Sequence, residues 1–475
     1  MKKIRPVLTF AAVAACFCCP VFAQQQLPSK PVPSDERLPL YAQAANAQMA
    51  PPQAAAAQMP ASPANPSAPQ PQALTLAQAQ QIAVQNHPQV LGAMALAAAA
   101  QAQVTQAKSA YYPNVYGSAT GADAENNSRI AAGVLNNPVI YERYANGLTV
   151  DQLLTDFGRT HEMVKSSDLH AKAQQENVVT SRADVLLGVD EAYYGLLRAQ
   201  AVLTVAQETV KDRQLVSDQI TTLERNQLRS GLDVTFANVN LAQAKLLLIT
   251  AQNDVDAAQA DLAAALGYSD QRTFAVQDEP MPAAPPTDIA TLLQQAFTDR
   301  PELIGLRLDA ASAHAYATAE RDLWFPTLSA TGSAGLTPYG ATQLAPRYAA
   351  AGFNLNIPIF NGHLFGALRT EANQNAIAVD QNQRNEMDLI ARDVRTAWLD
   401  ANSAYQRLSV TDQLLDEANQ SLDLAQQRYN LGLSSIIELS QAQLNQTQAQ
   451  IDQTSAKYDY QTQMSVLNFQ VGALH

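Results

Sequence analysis

The chain runs to 475 residues, enough for two or three domains. Ala, Gln, Leu and Asn dominate it while Gly and Pro are sparse outside two linkers, a bias of long helices rather than of a mixed α/β enzyme. A formal net charge of −13 and an isoelectric point near 4.9 exclude a basic face for nucleic acid or anionic lipid.

The first segment, "MKKIRPVLTFAAVAACFCCPVFAQQQ", places Lys2, Lys3 and Arg5 before an apolar run that ends in "VFA". Residues 1–23 therefore read as a secretory signal peptide cut after Ala23. A second reading stays open: "VAAC" is a lipobox-like tetrad that would make Cys16 a lipidated first residue. Cys16, Cys18 and Cys19 are the only cysteines, so cleavage at Ala23 excludes disulfides and thiol catalysis. Residues 24–72 are rich in Pro, Ala and Gln, cannot bury a core, and read as a disordered or extended tether. No later stretch approaches 18 consecutive strongly apolar residues, so no transmembrane helix is expected; a β-barrel remains allowed.

Residues 73–280 form a first repeat. It opens with a helix over 74–110, followed by two stretches of period two at 111–123 and 144–158. A long helix over 159–230 carries a seam at Val185, Val189, Ala192, Leu196, Ala199, Leu203, Ala206 and Val210. A glycine turn leads to a helix over 232–267. Residues 281–288, "MPAAPPTD", are a linker. The second repeat, 289–475, follows the same order: helix 289–322, strands 327–336 and 352–360, helix 363–431 and helix 433–471. Its seam alternates three and four residues without a break, through Met387, Ile390, Val394, Ala397, Ala401, Ala404, Leu408, Thr411, Leu415, Ala418, Leu422, Ala425 and Tyr429. In each half the two shorter helices add up to the long one, about 100 Å at 1.5 Å per residue.

The halves also match residue by residue. At an offset of 213, Pro88 falls on Pro301, Gly92 on Gly305 and Pro113 on Pro326; later, "SGL" at 230–232 falls on "LGL" at 431–433. Four strands cannot close a transmembrane barrel, for which about eight is the minimum. Open edges in lipid leave backbone groups unsatisfied. If the strands lie in a membrane, several chains must share one barrel.

This organisation resembles the TolC-like outer membrane efflux protein family over nearly all of residues 74–472. The resemblance implies a mainly helical chain with some β structure. Its tandem-repeat coiled-coil barrel would join four strands per chain into a shared 12-stranded transmembrane β-barrel, in a homotrimer embedded in outer membrane lipid. It implies a periplasmic adaptor and an inner membrane transporter as partners, and the exit duct of a tripartite efflux pump as function. Gly231, Leu232, Gly432, Leu433 and Ser434 match the tips that dock on the adaptor, although a plain connecting turn reads the same. Tyr429 matches a gating tyrosine and Glu438 a first acidic ring. Departures are Ser434 where a linking arginine is usual, Gln441 at a second acidic ring, and Ala237 at a first-repeat aspartate. Tyr111, Tyr112, Trp324 and Phe325 stand at strand starts as interfacial anchors or as core.

The six histidines show no ligand spacing, and nucleophile elbow, phosphate loop and dinucleotide fingerprint are all missing, so no enzyme, metal, cofactor or nucleic-acid partner is expected. Two alternatives remain: the outer membrane component of type I protein secretion, and, from another class, a periplasmic coiled-coil adaptor or structural protein.

Overall fold

The structure is a computed structural model that describes residues 74–474 apart from 126–140, 271, 341 and 343. The signal segment 1–23, the tether 24–72 and Cys16 lie outside the described residues. The first half contains α1 Leu76–Asn86, α2 Pro88–Lys108, β1 Asn114–Ala122, β2 Arg143–Thr155, α3 Arg159–Arg225 and α4 Gly231–Ala265. The second contains α5 Ile289–Asp299, α6 Pro301–Arg321, β3 Thr327–Gly340, β4 Arg347–Asn356, α7 Leu364–Asn430 and α8 Ile436–Gln470. Helices of 11, 21, 67 and 35 residues recur in that order in both halves.

The opening helix of each half is a pair, not the single element expected over 74–110 and 289–322. His87 and Arg300 precede Pro88 and Pro301, and the proline ring drives the residue before it out of the helical region. Their φ/ψ values are −69°/126° and −68°/121°. Each proline then opens the next helix at a position where its missing N–H costs nothing. The shorter helix returning from the far end abuts this break. Gly267 (φ +81°) sits against Asn86 and His87, and Gly472 (φ +77°) against Asp299 and Arg300, so close that a Cβ would press on backbone.

α3 is the spine, packing on α2 and α6 toward its N-terminal end and on α4 and α8 toward its C-terminal end. The α7 seam is buried as its three-four spacing requires, with Val394 and Ala401 wholly enclosed. Midway along the rods the inter-repeat linker is strapped down. Trp398 Nε1 donates to the Pro286 carbonyl at 2.7 Å, Gln461 Nε2 to that of Glu279 at 3.0 Å, and Tyr460 Oη to that of Ala283. Tyr193 Oη meets the carbonyls of Leu74 and Gln277.

The four strands form one antiparallel sheet in the order β1-β2-β3-β4. Because side chains alternate faces, the register sorts them. Val115, Leu148, Val150, Ala334, Leu336, Ala349, Phe353 and Leu355 share one face. Asn114, Ser118, Thr149, Asp151, Thr331, Ser333, Asn354 and Asn356 share the other. One face is mainly apolar, interrupted by Asn146, Gln152 and Arg347, and the other mainly polar, with Tyr116, Leu153 and Tyr348 among its residues; a strand between lipid and water needs such a bias. β4 lies earlier than the expected 352–360: it ends at Asn356, and 357–360 run on outside the ladder, where Pro358 has no N–H to contribute.

By length and composition alone α4 is apolar enough to cross a membrane, with mean hydropathy 1.2 over a window only 22% buried, although polar residues interrupt it and it holds no run of 18 strongly apolar ones. Its Val239, Leu246 and Ile249 point away from the protomer.

Candidate functional site

At the end of the rods farthest from the sheet, each long helix turns back into a short one. Both turns have the same hydrogen bonds. Leu433 N–H donates to the Arg428 carbonyl at 2.8 Å and Gly432 N–H to that of Tyr429 at 3.0 Å. In the first half Leu228 N–H donates to Leu223 at 2.9 Å and Gln227 N–H to Glu224 at 2.8 Å. These are paired Schellman closures, which need one residue in the left-handed region. Gly432 fills that place with φ +74°, and Gln227 fills it with φ +64°. The turns therefore match at a spacing of 205, the same that relates Arg159 to Leu364 and Gly231 to Ile436.

The expected alignment of Gly231 with Gly432 is corrected accordingly. Gly231 is the first residue of α4, and the left-handed turn lies four residues earlier, at a glutamine. Next, Ser230 caps α4: its Oγ accepts from Asp233 N–H at 3.2 Å while the Asp233 carboxylate accepts from Ser230 N–H. Ser435 caps α8, accepting from Glu438 N–H at 3.4 Å. In this register the acidic counterpart of Glu438 is Asp233. Ala237 pairs instead with Ala442, and both are buried.

Tyr429 is 3% exposed and packs among Ile220, Ala425, Ile436 and Leu439. Arg229, from the first turn, covers it: Nη2 donates to the Tyr429 carbonyl at 2.6 Å, and Cζ lies 4.1 Å from the ring centroid. Among the described residues the buried Tyr429 hydroxyl meets no partner, and neither does Ser434 Oγ. Burial pushes the Tyr429 hydroxyl above its usual pKa; the Asp233 carboxylate adds to this and Arg229 opposes it. Glu438 pairs with Arg428 at 3.3 Å, both half in solvent. Gln441 is exposed and donates to Asn445 at 2.9 Å. Leu232, Leu433 and Leu431 project into solvent.

Farther from the turn, Arg213 on α3 is 7% exposed and has no carboxylate within salt-bridge distance among the described residues. Its Nη2 donates to the Gln443 carbonyl at 2.8 Å and Thr447 Oγ1 at 3.1 Å, joining α3 to α8. Burial lowers its pKa, with Asp212 opposing. At the other end of the rods, Tyr111, Trp324 and Phe325 are about half exposed, and Tyr112 more so, where helix gives way to strand. Phe157 tilts against Phe325 at 6.3 Å and Phe365 meets Trp324 edge-on at 5.8 Å, widening the aromatic band.

Residues 79–268 and 292–473 each match the outer membrane efflux protein family. The chain belongs to this family. Its two matching segments coincide with the two halves of the fold. Protein CyaE of Bordetella pertussis is 27% identical over 391 residues, 78% of each chain. The probable outer membrane lipoprotein SilC of Salmonella typhimurium is 23% identical over 322 residues, 64% of this chain and 66% of that one. Among solved structures, the outer-membrane channel OprN superposes with a TM-score of 0.73 at 21% identity, over 84% of this chain and 90% of its own. The protein is thus an outer membrane efflux channel, a family of ducts rather than of enzymes.

Sequence reasoning pointed to Tyr429, Ser434, Glu438 and Gln441 but passed over Arg229, Asp233 and Arg213. For Asp233 the signal was present: "SxxD" after a helix end is a capping box. Arg229 and Arg213 left none, because their partners lie 200 and 230 positions away. Among the described residues no group of three His, Cys, Asp or Glu side chains is placed to hold a metal. His170 and His314 each face one carboxylate, Asp309 at 2.9 Å and Asp380 at 3.1 Å.

Proposed function

We propose that three copies close into one barrel and tunnel that conducts substrate passively from an inner membrane transporter to the outside. One observation carries this reading: the second half of the chain is packed on a side where the first half is not. β3 pairs with β2 as well as β4, α6 packs on α3 as well as α7, and α8 packs on α3 as well as α7. Their counterparts β1, α2 and α4 have the partner from their own half, β2 or α3, while α4 touches α8 only lightly. A neighbouring copy that supplies its β4 and α7 to these three elements repeats the same joint and closes a ring. The outward-facing apolar residues support it, Leu91 and Leu96 on α2 and Val239 and Leu246 on α4. Twelve strands, mainly apolar outside and mainly polar inside, meet the size that four cannot.

The helical tips, with Leu232, Gly432 and Leu433 at the surface, Ser434 half-buried beside them and Gly231 opening α4, are the place for a periplasmic adaptor. Tyr429 and Glu438 form the gate, with Ser434 and Gln441 beside them, and the aromatic band at Tyr111, Tyr112, Trp324 and Phe325 marks the lipid boundary. Residues 1–23 direct export, 24–72 tether the duct, and catalysis has no part. SilC, named a probable lipoprotein, favours keeping lipidation at Cys16 as the competing N-terminus.

The full chain in planar bilayers tests this directly. Discrete cation-blocked conductance is expected, and Glu438→Ala should weaken the block. Unaltered block would remove Glu438 from the gate; no conductance at all would remove the channel and favour an adaptor role.

A further inference from the structure

We propose that the cavity between α3, α4 and α8 binds a small organic carboxylate, with its charged head at Arg213 and its apolar body against Leu247 and Leu444. The site lies within one copy and needs neither a tunnel nor a gate, so it stands or falls apart from the function proposed above.

The cavity has a volume of about 270 Å³. Among the described residues Arg213 is the only charged one along it; the rest of the lining is amide, hydroxyl and aliphatic. Arg213 is more than nine-tenths buried. Both of its hydrogen bonds leave from Nη2, to the Gln443 carbonyl at 2.8 Å and to Thr447 Oγ1 at 3.1 Å. Among the described residues Nε and Nη1 meet no acceptor, and neither is sealed off from solvent. Buried cations are ordinarily paired, because losing water without gaining a counter-charge is costly. A carboxylate in the cavity supplies that counter-charge and accepts from the free N–H groups. Ser440 lines the same cavity and can add a donor. Its Oγ already accepts from Asn240 Nδ2 at 2.8 Å, which leaves its own hydrogen to give.

Packing does not call for the cation. At the spacing of 205 that relates the halves, the place of Arg213 is taken on α7 by Ala418, which is buried as well. Nor does the other cavity that Arg213 borders suit an anion, since it lies between α3 and α7 and carries Asp212 and Asp423. The first cavity is therefore the one an anion enters. Its remaining wall sets the class of ligand. Leu444 is 45% exposed and Leu247 and Ile451 are partly so, and an apolar body covers them while the head reaches the arginine. An inorganic anion uses the cation and leaves the leucines wet, and a neutral molecule does the reverse.

Benzoate is the probe, with acetate and benzamide as controls: one keeps the charge and lacks the ring, the other keeps the ring and lacks the charge. Equilibrium dialysis of the full chain, purified in detergent, measures the binding of each. Benzoate should be held about tenfold more tightly than either control. Arg213→Gln should weaken benzoate about tenfold, to the level of benzamide. Leu444→Glu sets a like charge at the exposed rim and should weaken benzoate without touching the arginine. It also decides the matter if Arg213→Gln does not assemble. Benzamide held as tightly as benzoate would mean an apolar pocket without anion recognition, and acetate held as tightly would mean a bare cation. Either result would overturn the proposal, as would benzoate binding that the substitutions leave unchanged, or no benzoate binding at all. Every readout is independent of conductance, so a silent bilayer recording bears on the channel and not on this site.

Discussion

Gln227 holds a left-handed backbone that costs a side-chain-bearing residue about 1–2 kcal/mol. Gln227→Gly should therefore raise the thermal midpoint slightly, offset in part by the added freedom of glycine in the unfolded chain. Gly432→Ala should lower it by about 1 kcal/mol equivalent; effects of opposite sign, smaller at Gln227, would confirm that the two turns are one motif. Asp190, 2% exposed on α3, accepts from Gln80 Nε2 at 2.6 Å and from Ser465. Burial is the main cause that raises its pKa above 3.8, outweighing both hydrogen bonds. A raised acid favours the protonated folded state, so this stabilisation is complete below the unfolded pKa and is lost as pH rises through the folded one. Asp190→Asn should raise the melting midpoint at neutral pH, with the gain fading as pH falls through the raised folded-state pKa and gone by about 4. A gain that persists unchanged at low pH would locate the cost elsewhere.

Elements were more legible than single residues, for a physical reason. Ala and Leu at three-four spacing specify a seam whatever lies opposite, and the α7 seam is buried where its spacing puts it. The X-Pro breaks at His87 and Arg300 were written in the sequence but overridden by helix-forming neighbours on both sides. The strand at 352–360 was misplaced because Ile357 and Ile359 continue the alternation past Pro358, where the ladder stops. The tip turns were misaligned because a glycine was sought where a glutamine serves. Packing supplies two tests. Ala401 is fully enclosed, so Ala401→Leu should destabilise by about 1–3 kcal/mol through overpacking, read as a lower denaturation midpoint. In the sheet, the Tyr348 ring lies over Gly147 and Gly335, and a Cβ at Gly335 would overlap the ring and the Asn146 carbonyl. Gly335→Ala should lower heat resistance, and Tyr348→Ala in the same chain should restore part of it; no restoration would mean that the carbonyl alone sets the limit.

On the scale of the whole molecule, everything follows from a duplicated unit that leaves one side uncovered. The uncovered side is a strand edge, an Ala-rich α2 and an apolar α4, and in the second half each counterpart is already covered by the first. The quantity to measure is the mass of the intact complex released from outer membranes in detergent. The predicted result is a stable assembly of three chains; a monodisperse single chain that stays in solution without detergent would contradict it.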